Sequence, residues 1–242
     1  MEKGDRNQKN GISHYAPYRL EIDCVIFSLD SSGLKILLVK QADNQGRAQW
    51  RLANDCIQEG ETITSTAHTI LRRHTGTSRY FIDQLKAFGY PCVSSLQENI
   101  SIAYYGLINS GHDVLESGQG NIDMKWAGID EADGLNDKDR AILDFSLREL
   151  RRNICQSTVG FNLLPEKFTL LQVVHLYEKI LGIEINKSNF RRKILQLGLV
   201  QDLDEKQENV AHRAAKFYTL KMEFQQIWPN GDFNFISDKK TA

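Results

Sequence analysis

Two short stretches of this chain carry side chains that could do chemistry. The first runs from Asp55 to Gly76 and holds Asp55, Glu61, Thr69, Ile70, Arg73 and His74. Carboxylates grouped on such a stretch could hold Mg²⁺ and activate water on a diphosphate, because Mg²⁺ takes oxygen ligands and substrate phosphates. This set is poorly suited to that task. Ile70 offers no oxygen, Arg73 repels a cation, and His74 is a poor ligand for so hard an ion. Glu61 alone does not make the two-metal clamp of phosphate-cleaving enzymes. The second stretch, Lys187–Lys193, has four positive side chains and no acid. Arg with Asn or Gln suits base edges, and Lys and Ser suit phosphates.

The elements that must position these residues follow from periodicity. Leu20–Leu29 and Leu34–Lys40 are rich in β-formers and flank the turn Asp30-Ser-Ser-Gly33, which predicts a hairpin. Further strands are expected at 48–52, 84–90, 100–108 and 124–129. A helix over 62–75 stops at Gly76, with Ile63, Ala67, Ile70, Leu71 and His74 on one face. Another helix spans 137–152. Residues 155–165 read as a joint.

Beyond the joint the rhythm changes. Thr169 and Gln172 match a capping box for a helix that ends at Gly182. Asn186 is the expected N-cap of a second helix, 187–197, with Gly198 as its stop. Phe190, Ile194 and Leu197 form its predicted inward stripe; Ser188, Asn189, Arg192 and Gln196 face away, flanked by Arg191 and Lys193. Two strands, 199–200 and 214–220, complete the order of a winged helix-turn-helix. His212, Arg213 and Lys216 lie on the expected wing, whose acids at 202, 204, 205 and 208 are expected at its outward tip.

Bulk properties narrow the class. The chain has 242 residues and a formal charge of -1, which argues against non-specific coating of nucleic acid or membrane. Cys24, Cys56, Cys92 and Cys155 form no CxxC pair, so free thiols in a reducing cytoplasm are expected, with no metal and no cofactor. Residues 1–18 form a polar tail with no apolar signal-type run, and no segment approaches the ~20 apolar residues of a membrane helix.

The first stretch resembles the Nudix box: a Gly, a Glu, then Arg-Glu-apolar-any-Glu-Glu and a closing Gly. Glu61, Leu71 and Gly76 fall at matching positions. Asp55 replaces the opening Gly, Thr69 and Ile70 replace the Arg-Glu pair, and Arg73 and His74 replace the Glu-Glu pair. The scaffold survives without the residues that hold metal in working members, so no catalytic residue is assigned.

Together with Gly160-Phe-Asn-Leu-Leu-Pro165, Phe168-Thr-Leu, Leu176–Gly182, Asn189-Phe-Arg-Arg-Lys-Ile194 and Ala211–Tyr218, the chain resembles the NrtR type of Nudix-related transcriptional regulators over residues 19–222. The resemblance implies an α+β fold, a Nudix-type α/β/α sandwich followed by a winged helix-turn-helix. The domains implied are a sensor at 19–155, a DNA-binding unit at 156–222 and an extension at 223–242. It further implies a homodimer on double-stranded operator DNA, with a sugar such as a pentose, or ADP-ribose, as small-molecule effector.

Lys187, Ser188, Asn189, Arg191, Arg192, Lys193, Gln196, Arg213 and Lys216 are the expected DNA contacts, with Arg192 and Asn189 as base readers. Trp50, Arg51 and Arg73 are the expected effector contacts. Two other classes stay open. An active Nudix hydrolase of ADP-ribose or a related diphosphate would show Mg²⁺-dependent turnover. A protein-binding module would lack the steep salt dependence of DNA binding.

Overall fold

The computed structural model describes residues 20–42, 45–91, 98–109, 123–208 and 214–221. The expected tail at 1–18, the extension at 223–242, Cys92 and Arg213 lie outside them.

The first half of the chain carries one six-stranded sheet of β1 (Leu20–Leu29), β2 (Leu34–Ala42), β3 (Ala48–Cys56), β4 (Phe81–Pro91), β5 (Glu98–Leu107) and β6 (Met124–Gly128), ordered β4-β5-β1-β3-β2-β6. Only the β1–β5 pairing is parallel; the others are antiparallel. The N-terminal half of β1 pairs with β3 and its C-terminal end with β2. Asp30 makes the turn between β1 and β2 by accepting from the Ser32 and Gly33 amides.

β1 is buried on both faces because a helix covers each. Ile22, Cys24 and Ile26 pack with Ala67, Ile70 and Leu71 of α1 (Ile63–Thr75). Val25 and Phe27 join the core that includes Ile142, Leu143 and Leu150 of α2 (Asp137–Ile154). Each such aliphatic side chain withdrawn from water contributes about 1.5–3 kcal/mol. Gly106 allows α1 to sit close, since a Cβ there would stand 2.9 Å from Leu71 Cδ2.

The remainder forms α3 (Leu170–Leu181), α4 (Lys187–Gln196) and a three-stranded sheet of β7 (Phe168–Thr169), β9 (Lys216–Leu220) and β8 (Val200–Lys206), in that order. Thr169 and Gln172 cap α3 reciprocally, Gly182 ends it with φ 68°, and the Asn186 side chain caps α4. Tyr177 and Phe190 lock the two helices edge to face at 5.0 Å.

Several details depart from the sequence expectation. The short strand at 168–169 is additional. β3 runs on to Cys56, because Glu21–Cys24 of β1 pairs with its second half. Leu197 does not face inward: α4 ends at Gln196, Leu197 is its C-cap and lies 46% exposed, and Leu199 and Val200 fill the core instead. Residues 155–165 are a packed joint. Val159–Leu163 form a 3-10 helix buried in a core continuous from the large sheet to α3.

Candidate functional site

The outer surface of α4 is the first candidate. Phe190 and Ile194 anchor it on α3, leaving Lys187, Ser188, Asn189, Arg192 and Gln196 exposed. Asn189 Oδ1 accepts from the Arg192 guanidinium at 3.3 Å, which holds the two expected base readers side by side. Arg191 and Lys193 flank this face half-buried, and the Arg191 Nε is buried without a hydrogen-bond partner. A guanidinium still presents other donors for phosphate.

On the wing, Lys216 Nζ lies 2.6 Å from Asp202, and Glu205 lies 2.8 Å from Lys167. Two of the wing acids are therefore neutralised by neighbouring lysines. Lys216 would have to exchange Asp202 for phosphate in order to meet DNA.

The box region forms a second candidate. Glu61 accepts from the Gln58 amide at 3.1 Å and the Thr66 hydroxyl at 3.0 Å, so its carboxylate shapes the entry to α1. Arg73 reaches back 2.7 Å to Asp55 at the end of β3. The two replaced box positions thus satisfy each other. Thr69 is exposed and Ile70 is wholly buried. His74 is buried with Nδ1 3.3 Å from Met124 Sδ. Burial, and then Arg73, push its imidazole down to about 4 from 6.5, against the pull of Asp55. Gly76 ends α1 with φ 67°.

The three expected effector contacts are engaged on different elements. Arg51 donates to both oxygens of Asp139 on α2, at 2.6 and 3.0 Å. Trp50 lies beneath Lys125 and Lys40, 4.7 and 5.8 Å from its ring. Arg73 holds Asp55. Two clefts lie among the described residues. One of about 540 Å³ is lined by Tyr80, Asn109, Phe161, Asn162 and Thr219 among others. The other, of about 480 Å³, lies between the β1–β2 turn, α2 and α3. None of the three expected contacts lines either cleft.

Sequence reasoning missed the network that seats α2. Lys138 Nζ lies 2.8 Å from Asp23 and 3.0 Å from Glu21, Ser101 donates to Asp23, and Tyr90 donates to Glu21 at 2.6 Å. Burial raises the Asp23 carboxyl above its usual range even with Lys138 against it. At the other end of α2, Arg151 Nε donates to the Ile180 carbonyl of α3 at 2.9 Å. One helix therefore links the large sheet to the helix-turn-helix. No local sequence signal marks these pairs, because their members are distant in the chain.

The winged-helix part matches the family model of the NrtR DNA-binding winged helix domain over residues 160–220. Shewanella oneidensis NrtR in complex with a 27mer DNA superposes with a TM-score of 0.70 at 25% identity, covering 84% of this chain and 93% of that one. NrtR of that organism, in a second crystal structure, gives 0.74 at 25% identity, covering 85% and 95%. Residues 160–220 are thus an NrtR-type DNA-binding winged helix domain, and the chain as a whole, with its Nudix-like sheet ahead of that domain, is similar to NrtR. The ADPR responsive transcriptional repressor NtrR of Acinetobacter baylyi is 24% identical over 227 residues, 92% of this chain and 88% of that one. A MutT/nudix family protein from Enterococcus faecalis shares the fold, with a TM-score of 0.67 at 19% identity over 86% of this chain and 89% of that one. The α+β architecture expected from the sequence is the one observed.

Proposed function

We propose that this chain is an NrtR-type, cytoplasmic transcriptional repressor that binds operator DNA as a homodimer and answers to ADP-ribose. The observation that carries the reading is the cation-rich outer face of α4 within a matched DNA-binding winged helix. Arg192 and Asn189 read base edges. Lys187, Ser188, Arg191, Lys193, Gln196, Arg213 and Lys216 hold the backbone or flank the readers. Two such helices, one per subunit, would meet half-sites about one helical turn apart.

The sensor is assigned to residues 19–155 and the reader to 156–222. ADP-ribose is preferred over a pentose because the similar Acinetobacter baylyi protein is named as responsive to it. Arg51, Arg73 and Trp50 remain the proposed contacts, with Arg73 exchanging Asp55 for the ligand and Arg51 keeping Asp139 while its remaining donors meet the ligand. On this reading the box works without hydrolysis, supported by Ile70 in the core and by Arg73, at the place of a metal-holding glutamate, pairing with Asp55. ADP-ribose must bind one DNA-competence state better than the other, since equal affinity shifts nothing. α2, seated on the sheet through Lys138 and Asp139 and on α3 through Arg151, is the element that would carry the shift.

The test is fluorescence anisotropy of the purified protein on fragments flanking its gene, at two salt concentrations, with ADP-ribose or a pentose. Selective binding that weakens steeply with salt and is released by ADP-ribose supports the reading. Release by the pentose alone would move the effector to the sugar class. Unselective binding at both salts, or Mg²⁺-dependent turnover of ADP-ribose, would refute it.

A further inference from the structure

Three large apolar side chains stand out in solvent among the described residues, Ile183, Leu195 and Leu197, all in the winged-helix part. Ile183 follows Gly182 in the turn after α3, and Leu197 is the C-cap of α4. Leu195 is different, because it lies within α4 and is 48% exposed. At about 100° per residue it sits about 20° around the helix from Ser188 and about 60° from Arg192, but about 140° from buried Phe190. It therefore lies on the side of the helix that carries Ser188, Arg191 and Arg192. Alanine or lysine would serve the helix equally well here, so the leucine has no evident use in folding.

The largest apolar group that a duplex offers such a side chain in the major groove is the C5-methyl group of thymine; the hydrogen-bonding edge groups are donors or acceptors. The charged neighbours on the same face suit the flanking phosphates. We infer that Leu195 is a specificity-determining contact that packs against a thymine methyl in the operator. This rests on the DNA-binding reading above. Leu195 stands about 4.5 Å along the helix axis beyond Arg192, and successive bases are about 3.4 Å apart. The thymine should therefore lie about one or two base pairs from the base that Arg192 reads.

The experiment uses the full-length protein and duplexes it selects from a random-sequence pool. Each thymine of the selected duplex is replaced in turn by deoxyuridine, which removes only the methyl group. The unaltered protein should bind about fourfold more weakly at one thymine per half-site, the value of one buried carbon. Leu195→Ala should be insensitive at that position alone, with an unchanged circular dichroism melt. If uracil is harmless everywhere, or if both proteins respond alike, the inference is overturned. A changed oligomeric state of Leu195→Ala in sedimentation, with the uracil pattern intact, would assign the side chain to a protein contact and overturn it as well. Failure to select any duplex would overturn the DNA-binding reading together with the inference.

Discussion

His74 gives the chain an acid sensitivity whose size can be worked out. The native protein holds this buried imidazole down at about 4, against 6.5 when free, chiefly by burial and secondly through Arg73. As pH drops below 6.5 the unfolded chain takes up a proton that the native protein refuses. The unfolded state then binds more protons, so stability falls through the window from about 6.5 to about 4 and levels off below it. Each pKa unit corresponds to about 1.4 kcal/mol, so acidifying from pH 7 to about 4.5 should remove about 2 kcal/mol through this residue. Asp23 works in the opposite sense, because burial raises its carboxyl and the native state protonates it first. His74→Leu isolates the contribution, since every other group titrates in both proteins. Urea denaturation at several pH values should show the difference between wild type and variant shifting by about 2 kcal/mol in favour of the variant on acidification. A difference that stays constant over that range, or an imidazole NMR titration centred near 6.5, would refute the reasoning.

Three further outcomes follow from the geometry. Asp139→Ala strands Arg51 and the Leu52 amide beside a fully buried site, and should cost about 3–5 kcal/mol in urea denaturation; a loss below about 1 kcal/mol would contradict the buried pairing. Gly160→Ala places a Cβ 3.2 Å from Ile154 Cγ2 and 3.4 Å from Leu176 Cδ2, so overpacking of the joint should lower stability by about 1–3 kcal/mol, and an unchanged thermal midpoint would count against the packing described. Arg192→Ala should weaken operator binding by about 1–3 kcal/mol and broaden the selected sequence at one position; an unchanged preference in a selection experiment would remove Arg192 from the base readers.

Much of the fold was legible because local rules decided it. The cap of α3 by Thr169 and Gln172, the cap of α4 by Asn186 and the turn at Asp30 each depend on hydrogen bonds spanning three residues or fewer. The inward face of α1 followed from helical spacing of Ala67, Ile70, Leu71 and His74. The site was legible only in outline. Spacing identified the cation-bearing face of α4, but the inward assignment of Leu197 failed because the helix closed one residue early. Arg51 read as an effector contact in the sequence, yet its carboxylate partner stands 88 residues away.

That contrast separates what the chain's order of residues determined from what the tertiary structure decided. Residue order alone set where helices start and stop and which faces are apolar, since a cap, a left-handed glycine or a 3.6-residue period acts within one or two turns. It also set the positive face of α4 and the replacement of five box positions. Folding decided the sheet order, the added strand at Phe168–Thr169, and the partners of each charge: Arg73 with Asp55, Arg51 with Asp139, and Lys138 with Asp23 at a separation of 115 residues. A charged side chain carries no local mark of its partner, because an ion pair depends on distance in space and on exclusion of water, and both arise only when the elements pack.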